Sequence, residues 1–166
     1  VDTIEVRTTV ERAPDVVFPF LADFTGYAEY SKHLRRVSVD GDGGVGTTYR
    51  LTFGWWKLTY DAHARVTAVE TPRTIEWEVV SDLDAHGRWV VEPLDDGNRT
   101  LVRFVVTYDP ESVSSGILDV PRFVSLDWVV RKAIGLIEAE GRRVVRRVVA
   151  DLEGESRPVD LEVEYR

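Results

Sequence analysis

The stretch from Leu126 to Leu152 constrains this chain more than any other part of it. Apolar or small residues fall at Leu126, Val130, Ala133, Ile134, Ile137, Gly141, Val144, Val145, Val148 and Leu152. Steps of three and four residues, closed by two adjacent pairs, trace one face of an α-helix for about seven turns. Charges take the other face: Arg131, Lys132, Glu138, Glu140, Arg142, Arg143, Arg146, Arg147 and Asp151. Ser125 suits an N-cap, Asp127 suits the positive first turn, and Gly154 is a fair stop. At 1.5 Å per residue the helix is roughly 40 Å long. A helix of that length with one apolar face needs a broad apolar partner. Nearly everything before it reads as strands, so the partner is a sheet.

Thr3 to Val10 alternates, with Ile4, Val6 and Val10 on one side and Glu5, Arg7 and Thr9 on the other, which is a half-buried strand. Pro14 to Ala22 reads as a short helix that begins well at Pro14 and is strained by Pro19. A second short helix begins at Thr25, with Tyr27 and Tyr30 on one side. Six strands follow: Leu34–Val39, Thr47–Phe53, Lys57–Val69, Thr74–Val80, Ala85–Leu94 and Thr100–Tyr108. Gly41 to Gly46 and Asp95 to Asn98 are turns between them. Gly41-Asp-Gly-Gly-Val-Gly46 matches G-x-G-x-x-G, but a strand follows it instead of a helix, so it is no phosphate loop. No crossover helices separate the strands, so the sheet is antiparallel, and it curves around the last helix. The expected class is therefore α+β, with about seven strands. The chain divides into one domain over 1–153 and a tail over 154–166. In the tail Val159, Leu161, Val163 and Tyr165 alternate with charges, so it pairs with a sheet edge, pairs with another subunit, or frays.

Composition narrows the function. The net charge is −8, so nucleic acid is a poor partner, because phosphate binding wants a basic surface. The Arg-rich face of the long helix reads as solvated, with Glu138 placed to pair Arg142. Only three of the 21 basic residues are Lys. An acidic, Lys-poor surface fits salt adaptation, and GC-rich coding also favours Arg. The absence of Cys leaves no disulfide or thiolate chemistry and, with no secretory pattern at the start, suggests a cytoplasmic protein.

The stretch Ile4-Glu-Val-Arg-Thr-Thr-Val-Glu-Arg-Ala-Pro-Asp-Val-Val-Phe18 with Leu21-Ala-Asp-Phe-Thr-Gly-Tyr27 resembles the opening strand and first helix of the START / Bet v 1-like superfamily. Gly87-Arg-Trp-Val-Val-Glu-Pro-Leu94 and Thr100-Leu-Val-Arg-Phe-Val-Val-Thr-Tyr108 resemble its last two strands. The branch most resembled is that of the polyketide cyclases/dehydrases and coenzyme Q-binding proteins. The resemblance runs from Ile4 to Leu152. It implies a helix-grip fold that binds a hydrophobic small molecule between sheet and helix: a lipid, an isoprenoid quinone or a polyketide-like aromatic. Carriage or sequestration is the expected function. A cyclase or dehydratase on the same scaffold is the first alternative, and a protein-docking module the second. One departure stands at Tyr30-Ser-Lys-His33, where family members often carry an aromatic and a Pro.

The residues themselves hint at a pocket. Ala62, Ala64 and Ala68 share the inward face of one strand, Gly87 lies on another, and Gly141 interrupts the helix stripe. Small residues on both walls leave space unless large neighbours fill it. The expected ligand contacts are Tyr49, Phe53, Tyr60, Ala62, Ala64, Trp77, Trp89, Phe104, Ile137 and Gly141. A Trp in place of Ala64 is expected to fill the cavity. Arg50, Asp61, His63 and Arg88 fall on the outward register. His33, His63 and His86 show no zinc spacing, so neither a metal nor a cofactor is expected, and no catalytic constellation stands out. Trp55 or Trp56, and the apolar loop Ser112–Phe123, are candidates for a membrane contact, a protein contact or a lid.

Overall fold

A computed structural model describes residues 1–55, 57–80, 83–112 and 126–166, with only the backbone of 58, 110 and 126–138. Strand β1 (Asp2–Val10) leads into helix α1 (Pro14–Ala22) and a 3-10 turn (Phe24–Glu29). Six strands follow as β2 (Leu34–Asp40), β3 (Thr48–Trp55), β4 (Leu58–Glu70), β5 (Thr74–Val79), β6 (Ala85–Leu94) and β7 (Arg99–Tyr108). The chain ends with helix α2 (Leu126–Glu153) and strand β8 (Glu162–Tyr165). The sheet is antiparallel, with strand order β2-β3-β4-β5-β6-β7-β1-β8. It wraps around α2 as a helix grip.

The tail supplies the eighth strand. β8 pairs with β1 from Ile4↔Tyr165 to Arg7↔Glu162, and Thr3 exchanges two backbone hydrogen bonds with Arg166, at 2.7 and 2.8 Å. Glu5, only 2% exposed, accepts from Arg103 at 2.7 Å and Arg166 at 2.5 Å, with Arg7 at 3.1 Å. A carboxylate tolerates that burial because guanidiniums surround it.

Helix α1 runs through Pro19, and the Asp23 N–H closes it on the Pro19 carbonyl at 3.3 Å. It buries Val17, Phe18 and Leu21. The core joins these to Val10, Phe24, Tyr49, Val66, Ile75, Val91, Val102 and Val149. Val149 is the helix residue most deeply placed among those described, at 1% exposure, with Val145 and Leu152 beside it. The face that meets the core is therefore rotated from the expected stripe, which ran through Val148. Gly154 ends the helix with φ of +80°, a conformation that favours glycine. Arg12 caps the last carbonyls, donating to Leu152 O at 2.9 Å and Glu153 O at 2.6 Å.

One bulge changes which side chains face inward. β4 pairs Val66 with Trp77, but Ala68 with Glu76 and Val69 with Ile75. The extra residue, Thr67, turns Ala68 to the outer face and sends Val69 to the core. The expected inward run of Ala62, Ala64 and Ala68 therefore stops before Ala68. Strict alternation has no means of registering a bulge.

Candidate functional site

The inner face of the sheet is lined by a chain of aromatic rings. Tyr49 on β3 meets Phe24 at 4.7 Å between centroids, and Phe24 meets Tyr27 at 5.1 Å. Tyr27 stands edge-on to Trp89 of β6 at 6.4 Å. Trp89 lies 4.4 Å from Phe104 of β7, which stacks on Trp77 of β5 at 6.1 Å. Six rings from β3, the 3-10 turn, β6, β7 and β5 thus form one array.

Gly87 makes the last stack possible. It faces Trp77 across β5 and β6, and a Cβ on it would lie 2.4 Å from the Trp77 indole. The indole crosses β6 where a side chain would stand and reaches Phe104 on the far strand. The space expected at Gly87 is filled by Trp77. Gly141 is different. Outside its own stretch of helix, no described atom lies within 4 Å of where its Cβ would be.

The other expected contacts separate into two groups. Tyr49 is 3% exposed and packs into the core with Phe24. Ala64 is 6% exposed, flanked by Tyr49 and Val79, so a Trp there would overpack the core instead of filling a cavity. Ala62, Phe53 and Tyr60 lie farther along the same face: Ala62 is opposite Leu51, and Phe53 is opposite both Tyr60 and Leu34. Phe53 is 37% exposed. The side chain of Ile137, the whole of Trp56 and the loop 113–125 lie outside the described residues. Trp55 is half-buried at the end of β3.

Sequence reasoning left Phe24 and Tyr27 out of the site, although aromatics at 24, 27 and 30 recur every three residues, the period of a 3-10 turn. Tyr27 donates its phenol proton to the Leu21 carbonyl. Burial holds that phenol far above its ordinary pKa, against a hydrogen bond from the Trp89 indole N–H. Glu140 also departs from the expected solvated face. It is 9% exposed and accepts the Lys32 N–H at 3.3 Å.

Among the described residues, the inner register of β1 to β7 carries no charged side chain beyond Asp2 at the rim. Polarity there comes from phenols and the Thr8 and Thr100 hydroxyls, and burial raises the Tyr108 hydroxyl above its ordinary pKa. The outer face is ionic. Arg50 bonds Asp61 at 2.6 Å and Thr52 bonds it at 2.7 Å, which holds that carboxyl below its usual range. A depression of about 290 Å³ on this outer side is bordered by Glu76, Glu78, His86 and Arg88, a lining that suits no greasy ligand.

A family profile described as polyketide cyclase / dehydrase and lipid transport matches residues 2–153. The chain belongs to this family. Solved structures of the same fold include the Zhui aromatase/cyclase from Streptomyces sp. R1128, which is 18% identical with a TM-score of 0.66. That match covers 91% of this chain and 93% of the other. TTHA0849 from Thermus thermophilus is 16% identical, with a TM-score of 0.63 over 92% of this chain and 97% of its own. Ara h 8.0201 is 16% identical, with a TM-score of 0.62 over 92% and 98%. At such identities the likeness is one of fold. No protein with a curated description matches the chain. As a member of this family the chain has a cavity-forming helix-grip fold consistent with a hydrophobic ligand, and the β8 tail lies beyond the matched residues.

Proposed function

We propose that this protein binds a flat, hydrophobic, polyketide-like molecule between its sheet and α2, and acts on it as a cyclase/dehydratase-type enzyme. The carrying observation is the six-ring aromatic array together with Gly141, beside which no described atom outside its own stretch of helix stands within 4 Å of a Cβ position. Aromatic faces favour a flat unsaturated ligand through offset and edge-on stacking, which a saturated chain does not gain. Buried apolar surface would contribute roughly 25 cal/mol per Å². Membership of a cyclase and dehydrase family, and the fold shared with an aromatase/cyclase, support the reading.

Ring closure joins an enol carbon to a ketone carbon: the enol hydroxyl gives up its proton as it becomes a carbonyl, and the ketone oxygen takes one up to become a hydroxyl. Dehydration then expels that hydroxyl as water together with a hydrogen from the adjacent ring carbon, leaving a C=C bond. A shaped apolar wall would supply most of the acceleration by holding the two carbons in reach. Tyr60 and Tyr108, both on the inner register, would donate hydrogen bonds to the carbonyl oxygens. The Tyr108 phenol, which burial holds above its ordinary pKa, stays protonated and serves as a donor, not a base.

Carriage or sequestration is the second reading, favoured by the lack, Asp2 at the rim apart, of charged side chains among the described inner residues of the strands. One experiment separates the two. The protein is incubated with a synthetic poly-β-ketone thioester, and the products are followed by liquid chromatography and mass spectrometry. The enzyme reading expects a cyclised product that has lost one water per ring, formed faster than without protein. Bound but unchanged compound supports carriage, and no binding overturns both.

A further inference from the structure

Three polar side chains on one side of α2 converge on one short segment. Glu140, Arg147 and Asp151 are seven and four residues apart, which places them along one helix face. Arg147 donates to the carbonyls of Tyr30 at 3.0 Å and Glu29 at 3.1 Å, with its guanidinium 5.9 Å from the Tyr30 ring centroid. The Tyr30 phenol donates to Asp151 Oδ2 at 2.6 Å. The Lys32 N–H reaches Glu140 Oε1 at 3.3 Å. Glu29 to Lys32 joins the 3-10 turn to β2, and β2 is an edge strand of the sheet. The segment therefore bridges the seam between that edge and the helix.

We propose that Glu29–Lys32 is a gating strap, whose release from α2 admits ligand to the space between sheet and helix; this rests on the ligand-binding reading above. Arg147 is exposed and holds the Glu29 and Tyr30 carbonyls, so water can replace those bonds at little net cost, while the bonds of Tyr30 to Asp151 and of Lys32 to Glu140 each engage one buried partner. The α1 end of the helix is closed far more firmly, by Val17, Leu21 and Val149 in the core and by the Arg12 cap. Opening at the seam leaves those contacts in place and moves Tyr30 as the one buried side chain of the strap. Tyr27 is anchored to Leu21 and Trp89, which leaves the strap as the moving part and the aromatic array in place. Tyr30 is the pin. It is 8% exposed and packs edge-on against Phe20 at 5.5 Å.

The chain contains no Cys, so Lys32→Cys with Glu140→Cys introduces a single reversible lock. Uptake of 1-anilinonaphthalene-8-sulfonate is followed by stopped-flow fluorescence in the oxidised and reduced forms of this variant. The oxidised form should take up the dye about tenfold more slowly than the same protein reduced, because a closed gate limits association. Arg147→Ala combined with Asp151→Asn should accelerate uptake and release together, by about threefold or more, with affinity nearly unchanged. Equal rates in the oxidised and reduced forms overturn the strap. So does an unchanged rate in the Arg147/Asp151 variant. If the unsubstituted protein binds no dye, the pocket falls and the strap with it. Binding at equal rates removes the strap alone.

Discussion

The two glycines at the aromatic wall separate what a small residue does from where it stands. At Gly87 a methyl group would meet the Trp77 indole at 2.4 Å and the Val105 carbonyl oxygen at 2.7 Å. Gly87→Ala should therefore destabilise the fold by roughly 1–3 kcal/mol, as overpacking of a filled site does, and chemical denaturation would measure it. At Gly141 no described atom beyond the helix itself lies within 4 Å. Gly141→Ala should leave stability unchanged or raise it by up to about 1 kcal/mol through helix propensity, whereas Gly141→Phe should fold and lose affinity for aromatic ligands. A Phe variant that binds as tightly as the unsubstituted protein would remove Gly141 from the site. In the sequence both positions are simply small residues on inward faces. Only the reach of a Trp from the next strand tells them apart, and residue spacing does not encode that reach.

At the level of elements, the tail and α2 depend on buried carboxylates. Glu153, 8% exposed, accepts from Arg157 at 2.6 and 2.9 Å and from the Glu11 N–H at 3.0 Å. This joins the helix end to the β1–α1 connection and to the start of the tail. Removing residues 156–166 would delete β8, Arg157 and Arg166 together. Glu5 would lose one of its three guanidiniums, and the β1 edge would be bared. The truncated chain should lose roughly 1–3 kcal/mol, less than a fully buried ion pair would cost because the guanidiniums keep contact with water. Its open edge should favour self-association, visible by sedimentation. A truncated chain that is equally stable and monomeric would show that the tail is dispensable. The boundaries of nearly every strand, and of the long helix, were legible from periodicity to within a residue or two. The rotation of α2 about its axis was not, because Val144, Val145, Val148 and Val149 are equally apolar and only the sheet chooses among them.

For the molecule as a whole, acid is the expected weakness. Glu5 lies below the ordinary glutamate value of 4.5 because Arg103 hydrogen-bonds its ionised form, and Glu153 lies below it because Arg157 does the same. A depressed folded-state pKa contributes stability that is full above the unfolded value and is lost as pH falls through the folded one. Stability should therefore decline below about pH 4.5 as both carboxylates protonate. Glu5→Gln should flatten that decline while lowering stability at neutral pH, and thermal melts across the range would record both effects. Equal acid slopes in the two proteins would mean that Glu5 is not a source. The sequence by itself determined the class of this fold: one long amphipathic helix, strands of period two, tight turns and no crossover helices. These are local patterns, and local physics sets them. Tertiary structure alone decided which face of α2 is buried, which way β4 turns after Thr67, that Trp77 spans β6, and that the tail closes the β1 edge. Each of these depends on what stands opposite in space, which one strand or helix cannot specify for itself.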